Sequence, residues 1–202
     1  AWIEVFNCDN DAVPVSFELS LFGQNFRKTV FRDRASAPQT AQVRGHGDVD
    51  QYTSPCVDQP AGHGVNYYRV PIELPNARRW SLEEPWLYQL QARLVRGDHV
   101  LDTAKQQFGM RSFRQDEQTT PRGKFYLNGH TTRLRGANTM GHLQQCVFRG
   151  DTDQLIDDIL LAKICHMNFL RLTQRPVQKQ IYDYCDRLGL LTQTDLPLFG
   201  KL

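Results

Sequence analysis

The sequence lacks an excess of charge of either sign and lacks any long apolar run. Its 24 lysines and arginines are set against 22 acidic residues, which gives a formal charge of +2. That balance offers no electrostatic argument for a nucleic-acid partner or an anionic membrane surface. No apolar run approaches the length of a membrane span. We therefore expect neither nucleic acid nor a membrane among the partners of this protein.

Paired cysteines and phosphate-binding motifs are also missing. The five cysteines are odd in number and none has CxxC spacing, so neither a disulfide framework nor a zinc site is indicated. We expect Cys165 and Cys185, which stand among apolar residues of helical pattern, to be buried and unreactive. No GxGxxG or GxxxxGK[ST] follows a predicted strand, which argues against a phosphate- or dinucleotide-binding enzyme. No cofactor and no metal is predicted, and the sequence does not decide between cytoplasm and periplasm.

What the sequence does contain suits a globular protein of one or two domains. Hydrophobic residues make up 40% of the 202 residues, enough for a sizeable core. The first residue is Ala1, and Trp2–Phe6 already has a strand pattern. We therefore expect the chain to continue on its amino-terminal side. The sequence leaves open whether the chain forms a homo-oligomer.

Alternating apolar and polar residues predict an all-β first half. Val13–Leu21 has an apolar residue at every odd position, so these side chains share one face of a strand. Short strands at this spacing favour an immunoglobulin-like β-sandwich. Further strands are predicted at Trp2–Phe6, Thr29–Phe31, Tyr67–Leu74, Tyr88–Val95 and Val100–Phe108, with turns at Gly23–Asn25 and Arg96–Asp98.

The pattern changes after Arg111. Asn128-Gly129 predicts a hairpin turn between strands at Lys124–Leu127 and Thr132–Gly136. Strand, helix, strand, helix, strand is then the rhythm of a parallel α/β unit. Its predicted elements are a helix capped by Asp151 or Thr152 and running to Ile164, a strand at Met167–Leu172, a helix from Pro176 to Leu188 closed by Gly189, and a strand at Leu190–Leu196.

Several segments in this part of the chain resemble glycoside hydrolase family 2, which includes β-galactosidases, β-glucuronidases and β-mannosidases. Pro85-Trp86-Leu87-Tyr88, preceded by Trp80, and Phe108-Gly109-Met110-Arg111 are similar to segments near the end of the sandwich domain of that family. Tyr182–Leu191 is very close to the family pattern YxxCDxxGLL. Further similar segments are Phe125–Gly129, Arg135–Asn138 and Asp158–Lys163 with Asn168 and Arg171.

The resemblance implies a fold class and a domain division. We expect an all-β immunoglobulin-like sandwich at residues 1–113, followed by the opening part of a (β/α)₈ catalytic barrel, an incomplete TIM barrel, at residues 114–202. Three strands are too few to close such a barrel, which has eight. The remaining domains of a parent chain are therefore expected partners.

The same resemblance implies a retaining exo-glycosidase acting on β-linked sugars, with a carbohydrate as substrate. Retaining enzymes use two carboxyl groups about 5–5.5 Å apart, and in this family both are glutamates on later barrel strands. After Arg111 the only glutamate is Glu117. No catalytic residue is therefore assigned in this chain, and we expect the chain alone to be inactive.

The resemblance does suggest residues that bind substrate. Arg171 matches the arginine that the family places beside its nucleophile, and Asp195 matches the acidic residue at the end of the third barrel strand. Asn138 and His142 follow the first strand, where the family contacts substrate. The alternative is that Arg171 only links two strands and that His142 is a solvated histidine.

Two departures from the family pattern bear on specificity. Where the family often has His-Tyr-Pro, this chain has Gln174-Arg175-Pro176. Gln174 can hydrogen-bond a hydroxyl but cannot titrate. Pro197 replaces an asparagine found in β-galactosidases. The sequence therefore does not assign the sugar. A non-catalytic carbohydrate-binding or interaction module is the alternative function.

Overall fold

The computed structural model describes residues 1–25, 51–53, 58–70, 72, 74 and 76–198, and these form two compact units. The first unit holds the described residues up to Gln24, those from 51 to Ala77, and Tyr88–Phe108. The second consists mainly of Arg78–Leu87 and the residues from Gly109 onward. Compactness thus groups Arg78–Leu87 with the later residues, and a domain boundary after residue 113 stays a prediction.

The first unit is a β-sandwich. In one sheet β1 (Trp2–Asn7) pairs antiparallel with β5 (Gly64–Arg69). Phe17 and Tyr68, whose ring centroids lie 4.8 Å apart, belong to a core that joins the two sheets. The strands of the other sheet are β2 (Val13–Asn25), β3 (Gln51–Thr53), β4 (Asp58–Ala61), β6 (Trp86–Arg96) and β7 (His99–Phe108). Their order is β3-β2-β6-β7, and β4 also pairs with β2.

Several predictions for this unit are confirmed. The odd-numbered apolar residues of β2 point inward, and Leu19 and Leu21 are fully buried. The hairpin of β6 and β7 turns at Gly97, whose φ of 57° is accessible to glycine without strain.

Other predictions for this unit are wrong. Gly23–Asn25 is no turn but the end of β2, because pairing of Phe22 with Gln51 extends the strand. The strand expected at Tyr67–Leu74 is β5, which begins at Gly64 and ends at Arg69. The pairing with β1 ends at Arg69, whose partner Trp2 is the first residue of β1. The strand expected at Thr29–Phe31 lies outside the described residues.

The second unit opens with a small antiparallel sheet. Its order is β10-β9-β8, where β8 is Phe113–Asp116, β9 Lys124–Leu127 and β10 His130–Thr132. Asn128 and Gly129 have φ values of 52° and 87°, so the predicted hairpin turn is confirmed. The return strand ends at Thr132, earlier than expected, since Gly136 already belongs to the next sheet.

A three-stranded parallel sheet follows. Its order is β11-β12-β13, formed by Gly136–Thr139, Phe169–Leu172 and Leu191–Thr194. The helices are α1 (His142–Arg149), α2 (Thr152–Ile164) and α3 (Lys179–Leu188). Leu170 and Leu172 pack in one core with Ile159, Ile181 and Leu188 of the helices. The predicted fold class, a β-sandwich followed by an α/β segment, is confirmed.

The helices agree with the sequence pattern only in part. The Asp151 side chain accepts a hydrogen bond from the Gln154 N–H at 3.0 Å, which confirms the predicted cap of α2. Helix α3 begins at Lys179 and not at Pro176, because Gln178 is still extended. Helix α1 was not predicted. Leu143, Cys146 and Val147 do have helical spacing, but α1 is only eight residues long and no side chain caps its start.

Cys165 also departs from expectation. It follows the last turn of α2 and is exposed, whereas Cys185 is buried as predicted. Desolvation raises the pKa of the Cys185 thiol to about 12. Among the described residues, no helix has both the length and the apolar character needed to cross a bilayer.

Candidate active-site cleft

The carboxyl ends of the three parallel strands meet at one edge of their sheet. Asn138, Arg171 and Gln193 are register partners, and so are Thr139, Leu172 and Thr194 one step further along. Leu172 is buried under the helices. Because side chains alternate between faces, Arg171 lies on the opposite face of the sheet. In eight-stranded barrels, active sites form at this carboxyl edge.

An ion pair between Arg171 and Asp195 occupies this edge. Arg171 Nε donates to Asp195 Oδ1 at 3.0 Å, and Arg171 Nη2 donates to Oδ2 at 2.8 Å. This two-pronged geometry matches the planar guanidinium to the planar carboxylate. The pair is partly open to solvent, with 43% of the Arg171 side chain and 20% of the Asp195 side chain exposed.

Backbone groups hold Asp195 in place. Its own N–H donates to the Leu172 carbonyl oxygen at 3.1 Å. The backbone N–H of Gln174 donates to Asp195 Oδ2 at 3.3 Å. Gln174 has a φ of 75°, a left-handed conformation that non-glycine residues adopt rarely. The loop after β12 thus directs a backbone donor at the carboxylate that follows β13.

These donors lower the pKa of Asp195 below its ordinary value. The hydrogen bonds from Arg171 contribute most, followed by the one from the Gln174 backbone, and they outweigh the opposing effect of burial. Donors that stabilise the ionised form have this effect on any carboxyl group. Asp195 is therefore an anion at neutral pH.

A cleft of about 660 Å³ lies over this pair. Four of the five residues predicted to bind substrate line it: Asn138, Arg171, Gln174 and Asp195. His142 does not line the cleft; it is exposed at the start of α1. Sequence reasoning missed four further lining residues, although each lies within four residues of the end of a parallel strand. They are Met140, Thr173, Leu196 and Leu198.

The described residues contain no group of three or more histidine, cysteine, aspartate or glutamate side chains that could hold a metal ion. Among the described residues, the charged groups that line the cleft are Arg171 and Asp195.

Comparison with known families matches both units. Residues 4–111, more than half of the chain, match the profile of glycosyl hydrolases family 2, and residues 119–199 match the TIM barrel domain of the same family. This chain belongs to glycosyl hydrolases family 2. The parallel sheet and its cleft therefore lie in the part that corresponds to the TIM barrel domain of the family.

Relatives agree with this assignment. A β-galactosidase of Thermoanaerobacter pseudethanolicus is 30% identical over 62% of this chain and 17% of its own length. A β-galactosidase of Oenococcus oeni is 26% identical over 90% of this chain and 17% of its own length. The chain thus spans about one sixth of these curated relatives.

Solved structures support the fold. A crystal structure of a Bacteroides uniformis β-glucuronidase matches 98% of this chain and 21% of its own chain, with a TM-score of 0.67 and 18% identity. At this level of identity the likeness supports the fold alone.

Proposed function

We propose that this chain is part of a retaining exo-glycosidase that hydrolyses β-linked sugars. The cleft at the carboxyl edge of β11–β13 is one wall of its sugar pocket. The observation that carries the proposal is the Arg171–Asp195 pair, which lies at the barrel edge where sites form and in a segment that matches the family barrel. In this proposal residues 1–113 act as a scaffold and residues 114–202 as the start of the barrel.

The two catalytic carboxyl groups come from elsewhere in the parent protein. Retention needs a nucleophile and an acid/base group about 5–5.5 Å apart. Glu117 is the only glutamate after Arg111. It lies between β8 and β9 and does not line the cleft. Asp195 is ionised and engaged with Arg171, so it suits neither proton donation nor attack.

The hydrogen-bond geometry of Arg171 supports a role for this residue in positioning the nucleophile. A guanidinium has five N–H donors, and Asp195 occupies two of its nitrogens. The remaining donors can hold the incoming nucleophilic carboxylate ionised and in position. Asp195 keeps the guanidinium plane fixed while this happens. Arg171 and Asp195 are thus positioning and binding residues.

The other cleft residues can bind sugar hydroxyls. Asn138 and Gln174 carry amides that both donate and accept hydrogen bonds, and both line the cleft. His142 has no place in this pocket, because it lies outside the cleft. The lining residues do not select among galactose, glucuronate and mannose.

The test compares the complete parent protein with the 202-residue chain on nitrophenyl β-galactoside, β-glucuronide and β-mannoside. We expect the parent protein to hydrolyse at least one of them and the chain to hydrolyse none. Proton NMR of the first product formed should show the β-anomer. Arg171→Lys in the parent should lower kcat by at least about tenfold, since it keeps the charge and loses the paired donors.

Turnover by the 202-residue chain would contradict the assignment of the catalytic pair to other parts of the protein. A parent protein that binds sugars but cleaves none would favour a carbohydrate-binding module. An α-anomer as first product would exclude the retaining mechanism.

A further inference from the structure

The loop between β12 and α3, residues 173–178, carries a hydrogen-bond donor to the cleft. Its donor is the Gln174 N–H, which meets the Asp195 carboxylate. Gln174, Arg175 and Pro176 are all exposed, so the middle of this β12–α3 loop has little packing to hold it. The position of the Gln174 N–H therefore depends on how the two ends of the loop are held.

Thr173 holds the first end of the loop. Its Oγ1 donates to the Thr139 carbonyl oxygen at 2.7 Å. Thr139 is the last residue of β11, and its own Oγ1 donates to the Arg171 carbonyl oxygen at 3.2 Å. These hydrogen bonds fix the start of the β12–α3 loop to the neighbouring strand β11.

Tyr182, in α3, holds the other end. Its hydroxyl accepts a hydrogen bond from the Val177 N–H at 3.3 Å and is hydrogen-bonded to Thr194 Oγ1 at 2.8 Å. Thr194 is the last residue of β13 and directly precedes Asp195. The Tyr182 ring is half-buried and packs against the core of the helices and the parallel sheet. One phenolic oxygen, placed by that core, thus joins the end of the loop to the end of β13.

We propose that Tyr182 is a positioning residue of the cleft, which holds the β12–α3 loop against the end of β13 so that the Gln174 N–H meets Asp195. This proposal rests on the proposed function, since it gives Tyr182 a part in the glycosidase site. Tyr182 does not line the cleft, so it acts only through the groups that it holds. The hydrogen bond from Gln174 to Asp195 is already long at 3.3 Å, and a small displacement of the loop breaks it.

The effect of such a displacement extends to Arg171. Asp195 accepts hydrogen bonds from two nitrogens of Arg171, so a carboxylate that turns takes the guanidinium plane with it. A misplacement of about 1 Å in an enzyme site can lower the rate by about a hundredfold. Loss of the Tyr182 hydroxyl should therefore lower kcat while the residues that line the cleft still bind the substrate.

Tyr184 provides a matched control on the same helix. It is also half-buried and packs against the same core. Within the described part of the chain, the hydroxyl that joins the loop to β13 is that of Tyr182 and not that of Tyr184. Tyr184→Phe thus removes the same atom as Tyr182→Phe and leaves the β12–α3 loop held at both ends.

The test follows the Gln174 amide proton of the isotope-labelled 202-residue chain by NMR while the pH is lowered through the titration of Asp195. Since this proton is donated to the carboxylate, its resonance should move as Asp195 is protonated. In Tyr182→Phe we expect the amplitude of that movement to fall at least about twofold, because donor and carboxylate separate. In Tyr184→Phe the amplitude should be unchanged. Circular dichroism at each pH verifies that the chain stays folded.

The carboxyl carbon of Asp195 gives a second readout in the same samples. Its titration should show that the pKa of Asp195 rises toward its ordinary value in Tyr182→Phe. The rise should be smaller than in Arg171→Gln, because Arg171 lowers the pKa more than the Gln174 backbone does. A general loss of stability in a chain that remains folded would move neither readout.

Thr194 tests the other partner of the hydrogen bond. Thr194→Val removes the hydroxyl that contacts Tyr182 and keeps the branched shape, whereas Thr194→Ser keeps the hydroxyl. We expect Thr194→Val to reduce the Gln174 amplitude as Tyr182→Phe does, and Thr194→Ser to preserve it. The double variant Tyr182→Phe with Thr194→Val should lose no more than either single variant, because both break the same hydrogen bond.

Kinetics of the parent protein on a nitrophenyl β-glycoside that it cleaves complete the test. Tyr182→Phe should lower kcat at least about threefold and change KM by less than about twofold, since the hydroxyl orients Arg171 and does not touch the sugar. Tyr184→Phe should leave both constants unchanged.

Equal Gln174 amplitudes in Tyr182→Phe and Tyr184→Phe would overturn the proposal, as would additive losses in the double variant or a Thr194→Ser variant that behaves like Thr194→Val. An unchanged kcat of Tyr182→Phe in a parent protein that cleaves glycosides would overturn it too. If the parent protein cleaves no glycoside but the amplitudes differ as expected, the proposed function fails and the positioning of Asp195 by Tyr182 stands. If the parent protein is a glycosidase and Tyr182→Phe matches Tyr184→Phe, only the assignment of Tyr182 fails.

Discussion

The two ends of the parallel sheet differ in how completely their polar side chains are hydrogen-bonded. At the amino end, the Asn168 side chain accepts from the Arg135 N–H at 2.8 Å and donates to the Arg133 carbonyl oxygen at 2.9 Å. Lys163 Nζ donates to the Leu82 and Gly189 carbonyl oxygens. At the carboxyl end, within the described residues, the buried Gln144 Oε1 accepts no hydrogen bond, and Asp195 engages two of the three nitrogens of Arg171. We infer that the amino end serves stability and that, under the proposed function, the carboxyl end serves binding, as in barrels in general.

Apolar packing follows the same division. Trp80 is fully buried in a cluster with Leu127 and Leu191 at the amino end, and its Nε1 donates to the Asp186 carbonyl oxygen at 2.7 Å. At the carboxyl end Met140 and Leu198 are each about 70% exposed. Side chains that open onto a cleft add little to stability but remain available to a ligand. The predictions below test this division.

The largest effect should come from Trp80. Trp80→Ala removes a fully buried aromatic side chain and its hydrogen bond, so we expect the free energy of unfolding to fall by about 3–5 kcal/mol. Urea unfolding followed by circular dichroism measures this. Met140→Ala, at the carboxyl end, should change it by no more than about 0.5 kcal/mol. Similar losses for the two variants would remove the contrast between the ends.

Asn168 should come next. Asn168→Ala leaves two part-buried backbone groups without partners, each costing about 1–2 kcal/mol, so we expect a loss of about 2–4 kcal/mol. The same substitution at Asn138, an exposed residue near the other end of the sheet, should alter stability by less than about 0.5 kcal/mol. The same urea series compares them. A larger loss for Asn138→Ala would reverse the proposed division.

Two helix-ending glycines sharpen the comparison further. Gly189 and Gly150 have φ values of 76° and 70°, so alanine is strained at both. A Cβ atom on Gly189 would also lie 2.4 Å from the Leu82 carbonyl oxygen, whereas nothing lies within 4 Å at Gly150. We expect Gly189→Ala to lose about 1–3 kcal/mol more than Gly150→Ala. Equal losses in thermal unfolding would mean that the close approach of Leu82 is unimportant.

The smallest effect on stability should come from Arg171. We expect Arg171→Gln to change the urea midpoint little, because the pair is partly exposed and such pairs are weak. It should, however, raise the pKa of Asp195 toward its ordinary value, since the Arg171 hydrogen bonds are the main cause of the lowered pKa. Carbon-detected NMR titration of the Asp195 carboxyl group measures this. Arg133→Gln is the control and should leave that pKa unchanged.

The pH dependence has a definite sign. A carboxyl group whose folded pKa is lowered stabilises the fold above its unfolded pKa, about 3.9 for aspartate, and this contribution is lost as the pH falls through the folded pKa. The Arg171–Asp195 pair should therefore persist at neutral pH and break only in acid below that ordinary value. A pair that already breaks near neutral pH would contradict the lowered pKa of Asp195.

Much of the local structure could be predicted from the sequence. The alternation in Val13–Leu21, the Asn128-Gly129 turn and the Asp151 cap are each confirmed, because each depends on neighbouring residues. The extension of β2 through Gly23–Asn25 could not be predicted, since a distant strand pairs with it. Helix α1 could not be predicted with a cap rule, because Gly141 provides no side chain.

The sequence by itself determined which residue types stand at the strand ends, including Arg171, Asp195, Asn138 and Gln174. Only the tertiary structure decided which of them meet. Arg171 and Asp195 are 24 residues apart and form a pair because β12 and β13 run parallel in register. His142 is exposed outside the cleft, whereas Gln144 is buried, because α1 turns one side inward. Spacing along the chain fixes the periodicity of an element, but distances between elements depend on strand pairing and helix packing.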